Sequence, residues 1–373
     1  MQMAKIKVLV VDDSLFMRKL IARLVEEDPQ LQVVGAARNG EEAVRLSGEL
    51  LPDVITMDVE MPVMNGLAAL TRIMEERPTP VVMLSSLTQE GAHETIDALR
   101  RGAVDFVAKP SGSTSADLYK VKGELLAKIK SAAGTPAAAL RSLAHARKRP
   151  SVPLPRTAIA ASRKSFADAA GNGNISQLIA IGTSTGGPRA LDTVLGSLPA
   201  DFPHPIVIVQ HMPPKFTKSL AQRLDSVCQV RILEAEDGMR MIGGTVYIAP
   251  GNYHMTIVEK NGELFVRLNQ EGACNGHRPS VDVLFASVAK LSRIERRYTL
   301  VLMTGMGSDG AKGMLLAKES GGGEVATIAE AQETCVVFGM PRAAIELGCV
   351  DHVVPLERIC AKLLEIDAKP QRP

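Results

Sequence analysis

Residues 6–14 read IKVLVVDDS, five aliphatic side chains in six residues and then two carboxylates. A short run so rich in β-branched residues, closed by polar ones, is the pattern of a strand buried on both faces of a parallel sheet. Four more runs of this kind follow: LQVVGAA from Leu31, DVITM from Asp53, PVVML from Pro80 and DFVA from Asp105. Helical spacing appears after the first, at Leu15, Leu20, Ile21, Leu24 and Val25, and after the last, at Leu118, Val121, Leu125 and Ile129. Strands that alternate with helices imply an open parallel sheet covered on both faces.

The alternation returns later in the chain, at QLIAI from Gln177, PIVIVQ from Pro205, TVYIA from Thr245, TLVLM from Thr299 and EVATIA from Glu324. MTIVEK and ELFVRL flank Asn261-Gly262, the dipeptide that accepts positive φ in a two-residue hairpin turn. A second doubly wound domain is therefore expected. Between the two, from about Gly134 to Gly171, Ala, Ser and Pro dominate. Pro136, Pro150, Pro153 and Pro155 break helix there, and seven cations (Arg141, Arg147, Lys148, Arg149, Arg156, Arg163 and Lys164) face Asp168 alone. This composition predicts a flexible basic linker over 131–174, between domains at 1–130 and 175–368. Its charge either keeps the linker solvated or docks an acidic partner.

The whole chain, with 43 Lys+Arg against 41 Asp+Glu, is nearly neutral at +2. Eight Phe, four Tyr and no Trp leave little with which to stack bases, and there is no basic excess, so a nucleic-acid partner is not expected. No apolar run reaches the roughly 18 residues of a membrane span, and MQMAKIKVLVVDD meets carboxylates too early for a signal peptide. A cytoplasmic protein without membrane insertion is expected. Cys228, Cys274, Cys335, Cys349 and Cys360 are odd in number and widely spaced, which suits buried thiols better than disulfides or a zinc site.

Parallel sheets bind ligands at the carboxyl ends of their strands. Asp12-Asp13, Asp58, Ser85 and Lys109-Pro110 end four of the first five runs. Three carboxylates beside one Lys call for a hard cation such as Mg2+, next to which Asp58 could attack a phosphoryl group. The set VVDDS, MDVEMPVMNG, SS and KP resembles the receiver domain of two-component response regulators. That resemblance implies a flavodoxin-like fold with Asp58 as phosphoacceptor. It further implies Mg2+ held by Asp12, Asp13 and Asp58, Ser85 as the switch hydroxyl, Phe106 as the switch aromatic, and Lys109 on the phosphoryl group. Ser86, next to Ser85, leaves the switch hydroxyl open between the two.

In the second half, QLIAI runs into GTSTGGP, and Gly182, Gly186 and Gly187 permit a sharp strand-to-helix turn presenting Ser184. Amides at the start of that helix could serve an oxyanion, or equally cradle a phosphate. GxSxG is also the nucleophile elbow of α/β-hydrolases, in which the acid precedes the histidine. Here His211 directly follows PIVIVQ, at the carboxyl edge shared with Ser184, whereas His204 precedes that strand, His254 opens a hairpin strand and His352 begins a late apolar run; His277, in the loop NGHRPSVD, is not excluded and could contact substrate. TLVLM leads into TGMGSDGAKG and brings Asp309 to the same edge; Asp237 is placed less well, and Asp282 reads as a helix cap. The order Ser184, His211, Asp309 departs from that of the α/β-hydrolases but supports the same acyl transfer.

IGTSTGG, QHMPPKFT, EAEDG, YIAPGN, HRPSVDVLF, MTGMGSDGA and CVVFGMPR together resemble the protein-glutamate methylesterases of bacterial chemotaxis, over residues 175 to 365. The resemblance implies a Rossmann-like three-layer catalytic domain whose triad is Ser184, His211 and Asp309; Thr185, beside the serine, and His277 are candidate substrate contacts. Thr183 stands where the family usually has Ala, and Ser308 where it often has Asn. The implied activity is cofactor-free hydrolysis of glutamate methyl esters on methyl-accepting chemoreceptors, with deamidation of glutamines by the same route. A chemotaxis histidine kinase would supply the phosphoryl group, and the receiver would cover the cleft until Asp58 is phosphorylated. A response regulator whose second domain only binds a ligand is the rival reading, and a DNA-binding regulator a weaker one.

Overall fold

The computed structural model describes residues 4–109, 115–137, 139–141, 175–291, 296–320 and 325–368, with the backbone alone over 115–120. It divides into two compact units, Met1–Pro150 and Ser151–Pro373. The opening apolar run is β1 (Ile6–Val11), whose last four side chains are buried. β2 (Leu31–Ala37), β3 (Val54–Asp58), β4 (Val81–Ser86) and β5 (Asp105–Lys109) complete a sheet in the order β2-β1-β3-β4-β5, parallel throughout. β3 is buried at all five positions, because helices cover both faces.

The helices are α1 (Leu15–Glu26), α2 (Gly40–Leu50), α3 (Gly66–Glu76), α4 (Gln89–Arg101) and α5 (Ser115–Ala133). Ser14, Asn39, Asn65 and Thr88 cap the first four, each side-chain oxygen accepting a hydrogen bond from an amide of the first turn. These caps begin each helix soon after its strand and keep the polar loops at one edge of the sheet. Residues 131–133, placed in the linker by composition, are still helix in α5. A further helical turn reaches Arg141, with Leu140 N–H bonded to Pro136 O at 2.9 Å and Ala139 and Leu140 buried. Pro136 fits there because a first-turn proline lacks only an amide hydrogen that would have no helical partner. The rest of the expected linker, 142–174, lies outside the described residues.

The second unit contains β6 (Gln177–Thr183), α6 (Gly187–Gly196), β7 (Ile206–Gln210), α7 (Phe216–Val227), β8 (Arg231–Glu234) and β9 (Thr245–Ile248). A hairpin of β10 (His254–Lys260) and β11 (Glu263–Asn269) precedes α8 (Val281–Val288), β12 (Arg297–Leu302), α9 (Ala311–Glu319), β13 (Val325–Glu330), α10 (Met340–Glu346), β14 (His352–Val354) and α11 (Leu356–Asp367). The main sheet is parallel, in the order β14-β13-β12-β6-β7-β9-β8. β6 is wholly buried between β12 and β7. The hairpin turns at Asn261 and Gly262, at φ 52° and 79°, and its apolar face (Met255, Ile257, Leu264, Val266) joins the core with Phe285, Tyr298 and Leu300. Sequence periodicity does not single out β8 or β14. They are edge strands of four and three residues, too short to show a period.

Candidate active site

Each unit gathers polar side chains at the carboxyl ends of its parallel strands. In the first, Asp12 and Asp13 follow β1, Asp58 ends β3 and Lys109 ends β5. Lys109 Nζ lies 2.9 Å from Asp12 Oδ2 and 2.7 Å from Asp58 Oδ2. Burial pushes the Asp58 carboxyl up to about 6; Lys109 opposes this, while Asp12 and Asp13 add to it. Burial also disfavours the Lys109 ammonium, but the Asp58 and Asp12 charges outweigh it and hold its pKa above the ordinary lysine value. A cavity of about 560 Å3 opens beside Asp58, lined by Asp13, Asn65, Ser86, Glu94 and Lys109 among others.

The two candidate switch hydroxyls face different ways. Ser85 is buried and donates to Gly91 O at 3.0 Å, whereas Ser86 lines the cavity, its Oγ 3.1 Å from Thr88 Oγ1. In this conformation Ser85 Oγ is bonded to the first turn of α4, and Ser86 is the one of the two that borders the cavity. Phe106 is buried on β5, with Lys128 Nζ 5.0 Å from its ring centroid and 2.6 Å from its carbonyl oxygen.

In the second unit Ser184 follows β6, His211 follows β7, and Asp309 stands in the loop after β12; these three strands are lateral neighbours. Gly186 takes the positive φ, 81°, that turns the chain into α6. The backbone of Ser184 is tied down on two sides. Ser184 N–H donates to Thr304 O at 3.0 Å, and Gln210 Nε2 donates to Ser184 O at 2.9 Å and His211 O at 3.2 Å. Gly305 is set by close approach, since a Cβ there would fall 2.8 Å from Ser184 Cβ and 2.3 Å from Met340 Sδ. Gly305→Ala is therefore expected to push Ser184 out of line and lower kcat at least tenfold, with KM nearly unchanged. Steady-state kinetics on the folded variant check this.

His211 Nε2 lies 2.8 Å from Asp309 Oδ2. Its other nitrogen, Nδ1, is buried and makes no hydrogen bond with a described residue, so it is the atom left to take a proton. The His277 ring stacks on His211 at 3.9 Å and 8°. Asp309 accepts five hydrogen bonds: Oδ2 from His211 and Val281 N–H, and Oδ1 from Ser280 Oγ, Asn275 Nδ2 and Asp282 N–H. Burial raises its pKa, but the bonds from His211, Ser280 and Val281 and the attraction of His211 outweigh that and hold the carboxyl far below the carboxylate range. Asp309 is ionised at any working pH.

Asp282 does not cap its own helix. Ser280 caps α8, and the Asp282 carboxylate accepts the amides of Gly310 and Gly313 at the start of α9. Asp309 in turn accepts the amides at the start of α8, so the two helices are capped reciprocally. Asp237 stays with the hairpin, on Leu268 N–H and Arg267. His204 pairs with Asp367 at 2.6 Å, and His254 Nε2 donates to Gly272 O at 3.0 Å. Thr185, expected against substrate, is buried, and its carbonyl accepts the Thr304 hydroxyl. Of the five cysteines four are buried; Cys274 is half-exposed, in the loop that bridges back to His277.

A family model described as CheB methylesterase matches residues 179–363, and one described as response regulator receiver domain matches residues 8–119. A protein-glutamate methylesterase/protein-glutamine glutaminase of Geobacillus kaustophilus is 53% identical over 364 residues, covering 98% of this chain and 99% of that protein. One of the same name from Thermotoga maritima is 47% identical over 364 residues, covering 97% and 98%. The crystal structure of the Thermotoga maritima CheB methylesterase catalytic domain is 48% identical over 51% of this chain and 97% of its own, with a TM-score of 0.48. Identity of this extent, running through both units, leaves one conclusion: the chain belongs to the protein-glutamate methylesterase/protein-glutamine glutaminase family.

Proposed function

We propose that this chain hydrolyses glutamate γ-methyl esters, and glutamine side-chain amides, on methyl-accepting chemoreceptors, and that phosphorylation of Asp58 by a chemotaxis histidine kinase switches it on. The observation that carries the reading is the 2.8 Å pairing of His211 Nε2 with a buried, ionised Asp309 at the sheet edge where Ser184 stands. Ser184 Oγ attacks the ester carbonyl while its proton passes to His211 Nδ1. Asp309 stabilises the imidazolium through Nε2–H, and amides at the start of α6 face the oxyanion. Collapse expels methanol, which takes the proton from His211, and water then frees the glutamate by the same steps in reverse order. His277, stacked on His211, borders the place where substrate would sit.

Asp12, Asp13 and Asp58 fit Mg2+, offering carboxylate oxygens within 4.8 Å of one another, and the Asp12 and Asp13 charges that add to the burial-driven rise of Asp58 are what a hard cation relieves. Bound there, Mg2+ would offset negative charge on an incoming phosphoryl group. The Asp58 carboxylate would attack the phosphorus of a phosphohistidine, forming an acyl phosphate and releasing the histidine. Lys109 would shift from its two carboxylates to the new oxygens. The receiver would cover the catalytic cleft until then, a shift of population between two arrangements. No helix of the described residues is long and apolar enough to cross a membrane.

Methanol release from methylated receptor membranes, with and without acetyl phosphate, tests this. Acetyl phosphate is expected to raise the rate of the native chain, and in Asp58→Asn the ratio of the two rates should fall to one. An equal response in both proteins would remove Asp58 from the switch.

A further inference from the structure

Glu330, the last residue of β13, is a carboxyl group that the mechanism does not use, and it is completely buried. Its Oε2 accepts Thr304 N–H at 2.8 Å, while Oε1, also buried, makes no hydrogen bond with a described residue. Thr304 is the residue that brackets the nucleophile. Its carbonyl accepts Ser184 N–H at 3.0 Å and the Thr183 hydroxyl at 2.9 Å, and its own hydroxyl donates to Thr185 O at 2.9 Å. Three consecutive residues around Ser184 therefore hang on one threonine, and a buried acid holds that threonine from the far side. Burying a half-satisfied carboxyl is costly, and an amide or a hydroxyl would have satisfied Thr304 N–H more cheaply.

We propose that Glu330 is a positioning residue for the nucleophile, acting through Thr304 to hold Ser184 against His211, and that its carboxylate form does this better than its neutral form. A charged acceptor makes a hydrogen bond roughly twice as strong as a neutral one. The groups around Glu330 set where it changes form. Burial raises its pKa to about 7; the bond from Thr304 and the nearby Thr334 hydroxyl and Cys335 thiol oppose this, and the Glu357 charge on α11 adds to it. Glu333 sits in the same turn as Cys335, whose thiol burial and Glu330 keep protonated, and Arg189 on α6 faces Glu357. The esterase would then carry a pH dependence near neutrality that belongs to Glu330.

This inference rests on Ser184 being the nucleophile, and the experiment separates the two. kcat and KM for methyl-ester hydrolysis are measured from pH 5.5 to 9 for the native chain and Glu330→Gln. Any pH dependence common to both enzymes cancels in their ratio. The ratio of kcat values is expected to be near one at pH 5.5 and to climb, with a midpoint about 7, to about fivefold at pH 8.5, with KM unchanged. A ratio that is flat with pH overturns the proposal while leaving Ser184 in place. Turnover retained by Ser184→Ala overturns the catalytic reading itself. Should Glu330→Gln not fold, infrared titration in an Asp58→Asn background decides the point. A buried neutral carboxyl band that disappears between pH 6 and 8 supports the proposal, and its absence over that range overturns it.

Discussion

Ser184→Ala is expected to bring methanol release from methylated receptor membranes down to background, a loss on the order of 10⁶-fold in kcat, the scale seen when a nucleophile is removed from a triad that works as a unit. The substitution deletes one oxygen and nothing else of the local structure. The Cβ stays against Gly305, and the bonds of Ser184 N–H to Thr304 O and of Gln210 to Ser184 O both run through the backbone. The thermal midpoint should not move. Loss of activity at unchanged stability identifies the hydroxyl as the reacting group, and retained turnover would exclude it.

Asp309→Asn should cost about 10⁴-fold in kcat, and unlike Ser184→Ala it should also destabilise the fold. Five donors converge on the two carboxylate oxygens, so an amide NH2 must face a donor whichever way it turns. Turned toward His211, it donates to Nε2 and leaves the proton on Nδ1, where no serine proton can then be accepted. Turned the other way, it faces Ser280, Asn275 and the amide of Asp282. An unmet donor at a buried site costs about 1–3 kcal/mol. A variant that is slow but as stable as the native chain at pH 7 would contradict this picture of the carboxylate's surroundings.

The long apolar runs made most of the fold legible. β1, β3 and β6 are long buried runs, and Ser184, His211 and Asp309 each come soon after such a run, so each candidate is visible in the sequence one at a time. Lateral order was not legible, because nothing in a strand's own residues says which neighbour it takes. The supports of the site were hidden for the same reason. Glu330 meets Thr304 across 26 residues, Asp282 meets Gly310 across 28, and Gln210 meets Ser184 across 26, and each is polar for the sake of a partner that only the folded sheet brings near. Asp282, read as a local cap, turned out to cap a different helix. Ser85 and Ser86 differ only in which way the end of β4 points them.

Glu330 also shows what such supports cost. Its carboxyl is raised from an ordinary 4.5 to about 7, so the unfolded chain gives up this proton first as the pH rises. Stability is lost progressively between about pH 4.5 and 7, by about 3 kcal/mol in all. Glu330→Gln should recover part of that at pH 8, the same pH at which it is expected to be the slower enzyme.

The adjacency of β12, β6 and β7 has a consequence for how such sites originate. Read along the chain, the residues come as serine, histidine, acid; read across the sheet, the acid's strand lies on one side of the serine's and the histidine's on the other. Strands in a sheet stand about 4.8 Å apart whatever loops connect them. The lateral address of each group is thus independent of the itinerary by which the chain arrives there. Connections can be rerouted, lengthened or given a hairpin such as β10–β11 while the three addresses stay put, so unrelated lineages can reach one chemistry by different routes through the same kind of sheet.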